Sequence, residues 1–159
     1  MIRAVKPSDF KAVYDIYMHE RVIPYMGYDT MPIDAFTPIF NELVSSNSFL
    51  VFESQSCIKG LCRVNKNKGR SAHVVSLTTL AISPEEIGSG LAGNFIGQLL
   101  AKLQTEGILR VELMVEEDNP RARAFYEKLG FLYEGKMLSA YKRSSDDHYV
   151  NEIMLAKLF

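Results

Sequence analysis

Tryptophan is absent from this chain, histidine occurs three times, and cysteine only twice in 159 residues. Cys57 and Cys62 fall in one strand-like run at odd spacing, so their side chains point to opposite faces, cannot easily bridge, and read as structural thiols. His19, His73 and His148 are scattered, and no pair has the i, i+4 spacing of a helical zinc site, so no metal is expected. An excess of positive charge is missing as well. Eighteen Lys and Arg stand against 19 Asp and Glu, a formal net charge of −1 with pI near 6.3. That leaves no global basic field for nucleic acid or an anionic membrane, and points to small-molecule chemistry. No apolar run approaches the ~20 residues of a membrane span, and MIRAVKPSDF lacks the apolar core of a signal peptide. A cytoplasmic protein is the expectation. With no repeat or low-complexity tract and 47% hydrophobic content, residues 1–159 read as one domain able to bury a sizeable core.

What is present centres on VVSLTTLAISPEEIGSGLAGNF, Val74 to Phe95. A β-branched, apolar strand runs through Ser83 to Ile87 into a helix across Gly88, Gly90 and Gly93. Such a helix start leaves amide groups without intrahelical partners, concentrates positive dipole, and lets an anion approach because glycine has no Cβ. Phosphate is the natural guest. Gly88-Ser89-Gly90-Leu91-Ala92-Gly93 also matches the dinucleotide fingerprint G-x-G-x-x-G, with Glu112 and Glu116 further on as ribose-binding candidates. That motif needs its first glycine directly off the strand, whereas five residues intervene here, so a loop holding some other pyrophosphate is the preferred reading.

The remaining pattern gives a mixed α/β fold. Ile2 to Val5 reads as a strand, and Pro7-Ser8-Asp9 opens a helix with Ser8 as N-cap and Phe10, Val13, Tyr14 and Tyr17 on one face. Residues 19–32 form a loop rich in Tyr and Met, in which Tyr25, Met26 and Tyr28 either plug the core or wall a substrate pocket. Phe36, Ile39, Phe40 and Leu43 make a second stripe, with Thr37-Pro38 restarting or kinking its helix. A hairpin follows over Phe49 to Val64, with a solvated turn at Asn65 to Ser71. The helix from near Gly88 carries Leu91, Phe95, Leu99 and Leu103 and stops at Gly107. Ile108 to Val115 then closes a right-handed crossover and a parallel strand pair. Asn119-Pro120 caps another helix that ends at Gly130, and Phe131 to Tyr141 pairs with His148 to Leu158.

The segment Asn119 to Phe131, NPRARAFYEKLGF, resembles the N-x-x-A-x-x-x-Y-x-K-x-G-F signature of the GNAT N-acetyltransferases. The loop from Ile87 is similar to that family's pyrophosphate motif, with Gly90 and Ala92 in its last two named places. The resemblance implies a GNAT-like acyl-CoA N-acyltransferase fold with a splayed central parallel pair, Val74 to Ile82 and Ile108 to Val115, and about four helices. It implies acetyl-CoA as co-substrate, Ala81 and Ile82 giving backbone contact to the pantetheine arm, and residues 87–93 (Ile87, Gly88, Ser89, Gly90, Leu91, Ala92, Gly93) holding pyrophosphate. Asn119 would meet the pantetheine side and Tyr126 the thioester sulfur as catalytic acid. Position 87 departs from the family's Gln or Arg, so a side-chain donor to phosphate is missing there.

The C-terminal segment is similar to members that acetylate small free amines, amino acids, their analogues or polyamines. A protonated amine must lose a proton before attack, yet Ser76 to Leu80 offers no carboxylate base. Glu20, Glu116, Glu117 and His73 remain, with Tyr25 and Tyr28 as further substrate-side candidates, and Glu116 also reads as a solvated acid at a strand end. A peptide or protein acetyltransferase and a non-catalytic acyl-CoA-binding module stay as alternatives, and a homodimer is possible.

Overall fold

Seven strands and four α-helices alternate along the chain in a computed structural model that describes all 159 residues. The strands are β1 (Ile2–Ala4), β2 (Phe49–Ser54), β3 (Cys57–Lys66), β4 (Val74–Ile82), β5 (Arg110–Glu116), β6 (Leu132–Tyr141) and β7 (Val150–Leu158). The helices are α1 (Phe10–Tyr17), α2 (Ile33–Ser45), α3 (Leu91–Thr105) and α4 (Pro120–Lys128). One mixed sheet takes the order β1-β2-β3-β4-β5-β7-β6. The connection through α3 makes β4 and β5 parallel, registered from Val74↔Arg110 to Leu77↔Leu113. Pairing stops there, although β4 continues to Ile82 and β5 to Glu116. The mixed α/β fold with a central parallel pair and four helices is therefore as the sequence leads one to expect. The C-terminal hairpin adds its second strand, β7, beside β5 and leaves β6 at the edge.

Contacts group the chain into two units. The first, Met1–Val64 with Thr79–Leu99, is built around aromatic packing. Val13, Ile16 and Tyr17 of α1, Phe36, Phe40 and Leu43 of α2, and Phe49 and Val51 of β2 are buried in one cluster. Phe10 meets Phe40 with centroids 5.1 Å apart, and Tyr17 meets Phe36 at 5.2 Å. Each such buried side chain stabilises by about 1.5–3 kcal/mol relative to exposure. Gly60 on β3 is required by close approach, since a Cβ there would lie 3.0 Å from Phe95 and 3.1 Å from Ile82.

Three local expectations are corrected in this unit. Ser8 does not cap α1: a 3-10 turn, Pro7–Asp9, precedes the helix, and buried Asp9 accepts the Lys6 amide at 2.8 Å and Arg3 at 2.7 Å. An acid that neutralises Arg3 and satisfies an orphan amide does more there than a hydroxyl. Thr37-Pro38 does not restart α2, because Pro38 lies inside a helix already begun at Ile33. The proline removes one intrahelical bond while Phe36, Phe40 and Leu43 remain buried on one face. Helix α3 begins at Leu91 and not near Gly88, because Gly88 and Gly90 take φ of 89° and 84°.

The second unit is Asn65–Thr78 with Leu100–Phe159. Its buried residues include Val75 and Leu77 of β4, Val111, Leu113 and Val115 of β5, and Ile153 and Leu155 of β7. Arg110 spans Glu112 at 3.0 Å and Glu134 by a two-pronged bond, tying β5 to β6. Helix α4 begins as expected: Asn119 accepts the Ala122 amide at 3.2 Å and Pro120 follows at the first position. It ends on Gly130 at φ 87°, with the Phe131 amide returning to Tyr126 O and the Gly130 amide to Glu127 O. Cys57 is exposed and Cys62 buried, and neither is in a disulfide.

Candidate active site

The first unit holds the glycine loop. Between the 3-10 turn Pro84–Glu86 and α3, the chain is folded back on itself: the Ser89 amide reaches Glu86 O at 3.1 Å, and its hydroxyl donates to the same carbonyl at 2.8 Å. The Ser89 oxygen in turn accepts the Leu91 amide at 3.2 Å, so the side chain fixes the turn into the helix. The amides of Gly88, Gly90, Ala92 and Gly93 have no internal acceptor, whereas Asn94 already bonds Gly90 O at 3.2 Å. Nothing lies within 4 Å of an added Cβ at Gly88, Gly90 or Gly93. Open space, free donors and the positive end of a 15-residue helix coincide here, which is what a pyrophosphate requires. Ile87 is half-buried and brings no donor. Beside it Lys59 is already paired with Glu86 at 3.1 Å.

The same unit contains Ala81, buried, and Ile82, half-buried, at the end of β4. Two residues earlier Thr79 stands at φ 49°, left-handed inside a strand. The sequence gives no sign of it, since a β-branched residue is a poor choice for that conformation. In the segment between α1 and α2, Met26 is buried and serves the core. Tyr25 and Tyr28 are 42% and 47% exposed, so of the three side chains only Met26 plugs the core. Tyr28 lies 6.3 Å from the buried ring of Tyr17. Glu20 is exposed past the end of α1.

The second unit holds the carboxylates. Glu116, at the end of β5, is half-buried and accepts the Tyr141 hydroxyl at 3.1 Å, so it is not the solvated acid of the sequence reading. Burial pushes its carboxyl above the usual range, helped by the charge of Glu152, its cross-strand partner on β7. Glu152 is itself raised by burial. Burial and then the charge of Glu116 raise the Tyr141 phenol, which keeps its proton at neutral pH. Arg143 sits over the Tyr141 ring at 5.6 Å and is fixed by Asp118 at 2.7 Å and Asp146 at 3.1 Å. Glu117 and His73 are exposed, and Glu117 is taken by Lys136 and Asn151. Glu112, the other ribose candidate, bonds Arg110 and Ser76.

On α4, Tyr126 is 7% exposed and packs edge-on against Phe125 at 5.1 Å and Phe131 at 5.6 Å. Asn119 uses its side-chain oxygen on its own helix, leaving its amide group for other partners. The site candidates thus fall into two sets. Ala81, Ile82, residues 87–93, Glu20, Tyr25 and Tyr28 belong to the first unit, and Glu116, Asn119 and Tyr126 to the second. Sequence reasoning missed Tyr141 and Glu152, whose significance comes only from the strand order that brings β7 beside β5. No group of three His, Cys, Asp or Glu side chains is placed to hold a metal ion, and no helix is long and apolar enough to cross a membrane.

A model of the GNAT acetyltransferase family matches residues 10–131. An acetyltransferase of Yersinia enterocolitica is 28% identical over 148 residues, covering 93% of this chain and 99% of the relative. Among solved structures, spermidine N-acetyltransferase from Vibrio cholerae in complex with CoA and spermine superposes with a TM-score of 0.83 at 20% identity, over 99% of this chain and 94% of that one. Ribosomal-protein-alanine N-acetyltransferase from Brucella melitensis gives a TM-score of 0.78 at 14% identity, over 100% and 99%. At these identities the two structures establish the fold alone, and their acceptors differ in class.

Proposed function

Because the chain belongs to the GNAT acetyltransferase family and is an acyl-CoA-dependent N-acetyltransferase, we propose that it moves acetyl from acetyl-CoA to the primary amine of a small metabolite, an amino acid, an analogue of one or a polyamine. The observation that carries the co-substrate is the start of α3, where four amides lack internal acceptors and nothing lies within 4 Å of an added Cβ at Gly88, Gly90 or Gly93. The residues fit the group: Gly88, Gly90, Ala92 and Gly93 would hold its pyrophosphate through main-chain donors, with no help from Ile87. When bound, acetyl-CoA supplies an activated thioester carbonyl.

Deprotonation of the acceptor falls to Glu116. A carboxylate raised by burial is a stronger base than a solvated one, and the Tyr141 hydroxyl fixes its orientation. Glu152 on the same face adds a second partly buried carboxylate, an arrangement that suits a compact cation such as an alkylammonium group. Tyr126, by the family pattern, holds the proton that a departing thiolate needs, and Asn119 and the backbone at Ala81 and Ile82 orient the pantetheine arm.

A panel of amino acids, polyamines and short peptides, followed by thiol release from acetyl-CoA, tests the reading. Turnover of small amines in preference to peptides is expected. Turnover of peptides alone would make the protein a peptide acetyltransferase, and saturable acetyl-CoA binding without release on any amine would make it a non-catalytic binding module.

A further inference from the structure

Strand β5 ends at Glu116 and β6 at Tyr141, and the segments that follow them meet. Past β5 the chain turns at once: the Asn119 amide bonds Glu116 O at 3.0 Å, and the Glu117 amide bonds Asn151 O of β7 at 2.9 Å. Past β6 the Asp146 amide returns to Arg143 O at 3.1 Å. Arg143 joins the two turns. Its guanidinium, largely buried, donates to both carboxylate oxygens of Asp118, at 2.7 and 3.1 Å, and to Asp146 at 3.1 Å. Two aspartates on one arginine leave the group net negative, so it is no site for an anionic substrate.

What the clamp fixes is the face of the guanidinium, which lies over the Tyr141 ring at 5.6 Å from its centroid. The Tyr141 hydroxyl in turn donates to Glu116 at 3.1 Å. A change of rotamer at Tyr141 would swing that hydroxyl off the carboxylate. The strand alone restrains Tyr141 loosely, because the register of β6 on β7 is irregular between Met137 and Tyr141. A planar fork held by two parallel bonds supplies the missing restraint, and a lysine could not make it.

We propose that Arg143 is a positioning residue for Glu116: gripped by Asp118 and Asp146, its guanidinium holds the Tyr141 ring where the hydroxyl orients the Glu116 carboxylate. This rests on the reading of Glu116 as the group that takes the acceptor's proton. The charged and titratable groups around it are Glu152 on β7, Tyr141 at the end of β6, Arg143 and Asp146 beyond that strand, and Asp118 after β5. Burial raises the Glu116 carboxyl and the charge of Glu152 adds to this, while the Tyr141 hydrogen bond and the charge of Arg143 oppose it. Losing either opponent therefore moves the ionisation of Glu116 to higher pH.

Arg143→Met, Arg143→Lys, Tyr141→Phe and the Tyr141→Phe, Arg143→Met double variant of the full chain test it, with Glu116→Gln as reference. The readouts are kcat/KM against pH and the titration of the Glu116 carboxyl carbon by NMR. Arg143→Met should lower the high-pH plateau of kcat/KM about tenfold, the scale of a reacting group out of place, and move both midpoints to higher pH. Tyr141→Phe should do the same. In the Tyr141→Phe background, Arg143→Met should cost the plateau less than about twofold, since the contact it acts through is gone. Arg143→Lys keeps the charge without the fork, so its plateau should fall as in Arg143→Met. Acetyl-CoA affinity should stay within about twofold, because the amides of the glycine loop are untouched.

A parental plateau in Arg143→Met or Arg143→Lys, or an undiminished loss in the Tyr141→Phe background, overturns the proposal. Should Arg143→Met fail to fold, Arg143→Lys with and without Tyr141→Phe carries the comparison. If Glu116→Gln keeps the parental pH profile, the reading of Glu116 as the base fails instead, and the carboxyl titration decides alone. A midpoint that Arg143→Met leaves unmoved, or moves as far without Tyr141 as with it, then removes the role given to Arg143.

Discussion

Glu116 is where function and stability oppose one another most directly. Its carboxyl is raised in the folded protein, so folding favours its protonated form. That contribution is fully present below the unfolded carboxylate pKa and is lost as pH rises through the folded value. Wherever it is ionised, the half-buried group therefore works against the fold. Glu116→Gln keeps an oxygen to accept from Tyr141 and removes the charge, so its Tm should gain on that of the parental protein as pH rises and not at pH 4, each 1 kcal/mol being about 2–4 °C at this size. The same variant should lower kcat/KM by about 10²-fold or more and abolish the rise of kcat/KM with pH that a titrating base produces. A parental pH profile would return the proton to water or another group.

Tyr126 separates from Glu116 in the measurement. Tyr126→Phe preserves the edge-on packing with Phe125 and Phe131, so stability and acetyl-CoA affinity should hardly move. Because a thiolate with a pKa of about 8.5 leaves tolerably unassisted, single-turnover transfer should slow near the low end of the 10²–10⁴ range for general acids. Transfer at the parental rate would make Tyr126 a packing residue. Its 7% exposure suits either role, and only its place in the Asn119–Phe131 pattern distinguishes them in the sequence.

At the scale of elements, the parts legible in the sequence are those governed by local rules. Val74 to Ile82 is a strand with those bounds, Asn119 caps α4, and Gly107 and Gly130 terminate α3 and α4, because alternation, capping and positive φ are decided within a few residues. Helix α2 shows the limit: a buried aromatic face outweighs the one hydrogen bond that Pro38 removes, and that balance is tertiary. The start of α3 also yields a sharper test of the phosphate loop. Gly90→Val would force a branched residue to φ 84°, confounding strain with blockage. Gly93 lies inside the first turn of α3 with ordinary φ and open space, so Gly93→Val should leave the fold intact, at no loss of helix propensity. Acetyl-CoA affinity should drop at least about tenfold as the branched side chain enters the space a phosphate needs. Unchanged affinity in the folded variant would move the phosphate site elsewhere.

For the whole molecule, the legible part was the family pattern and the mixed sheet, and the illegible part was whatever depends on strand order. Nothing in β5 or β7 taken singly says that Glu116 and Glu152 are cross-strand partners, or that a residue of β6 reaches Glu116 through Tyr141. Ligand linkage is the property in which the whole chain answers at once, because a molecule that binds only the folded state stabilises all of it. At a hundredfold over its Kd, acetyl-CoA should add about 2.7 kcal/mol, a rise in Tm of roughly 5–11 °C for a chain of this length. NAD should add none, since the residues between β4 and Gly88 displace the glycines from a dinucleotide turn and Glu112 is engaged by Arg110. Gly93→Val should lose the acetyl-CoA shift, and Glu116→Gln should retain it on a higher baseline, which separates a lost phosphate grip from a lost base in one experiment. A shift with NAD and none with acetyl-CoA would reverse the assignment of the loop, and with it every role given to Ala81, Ile82 and Tyr126.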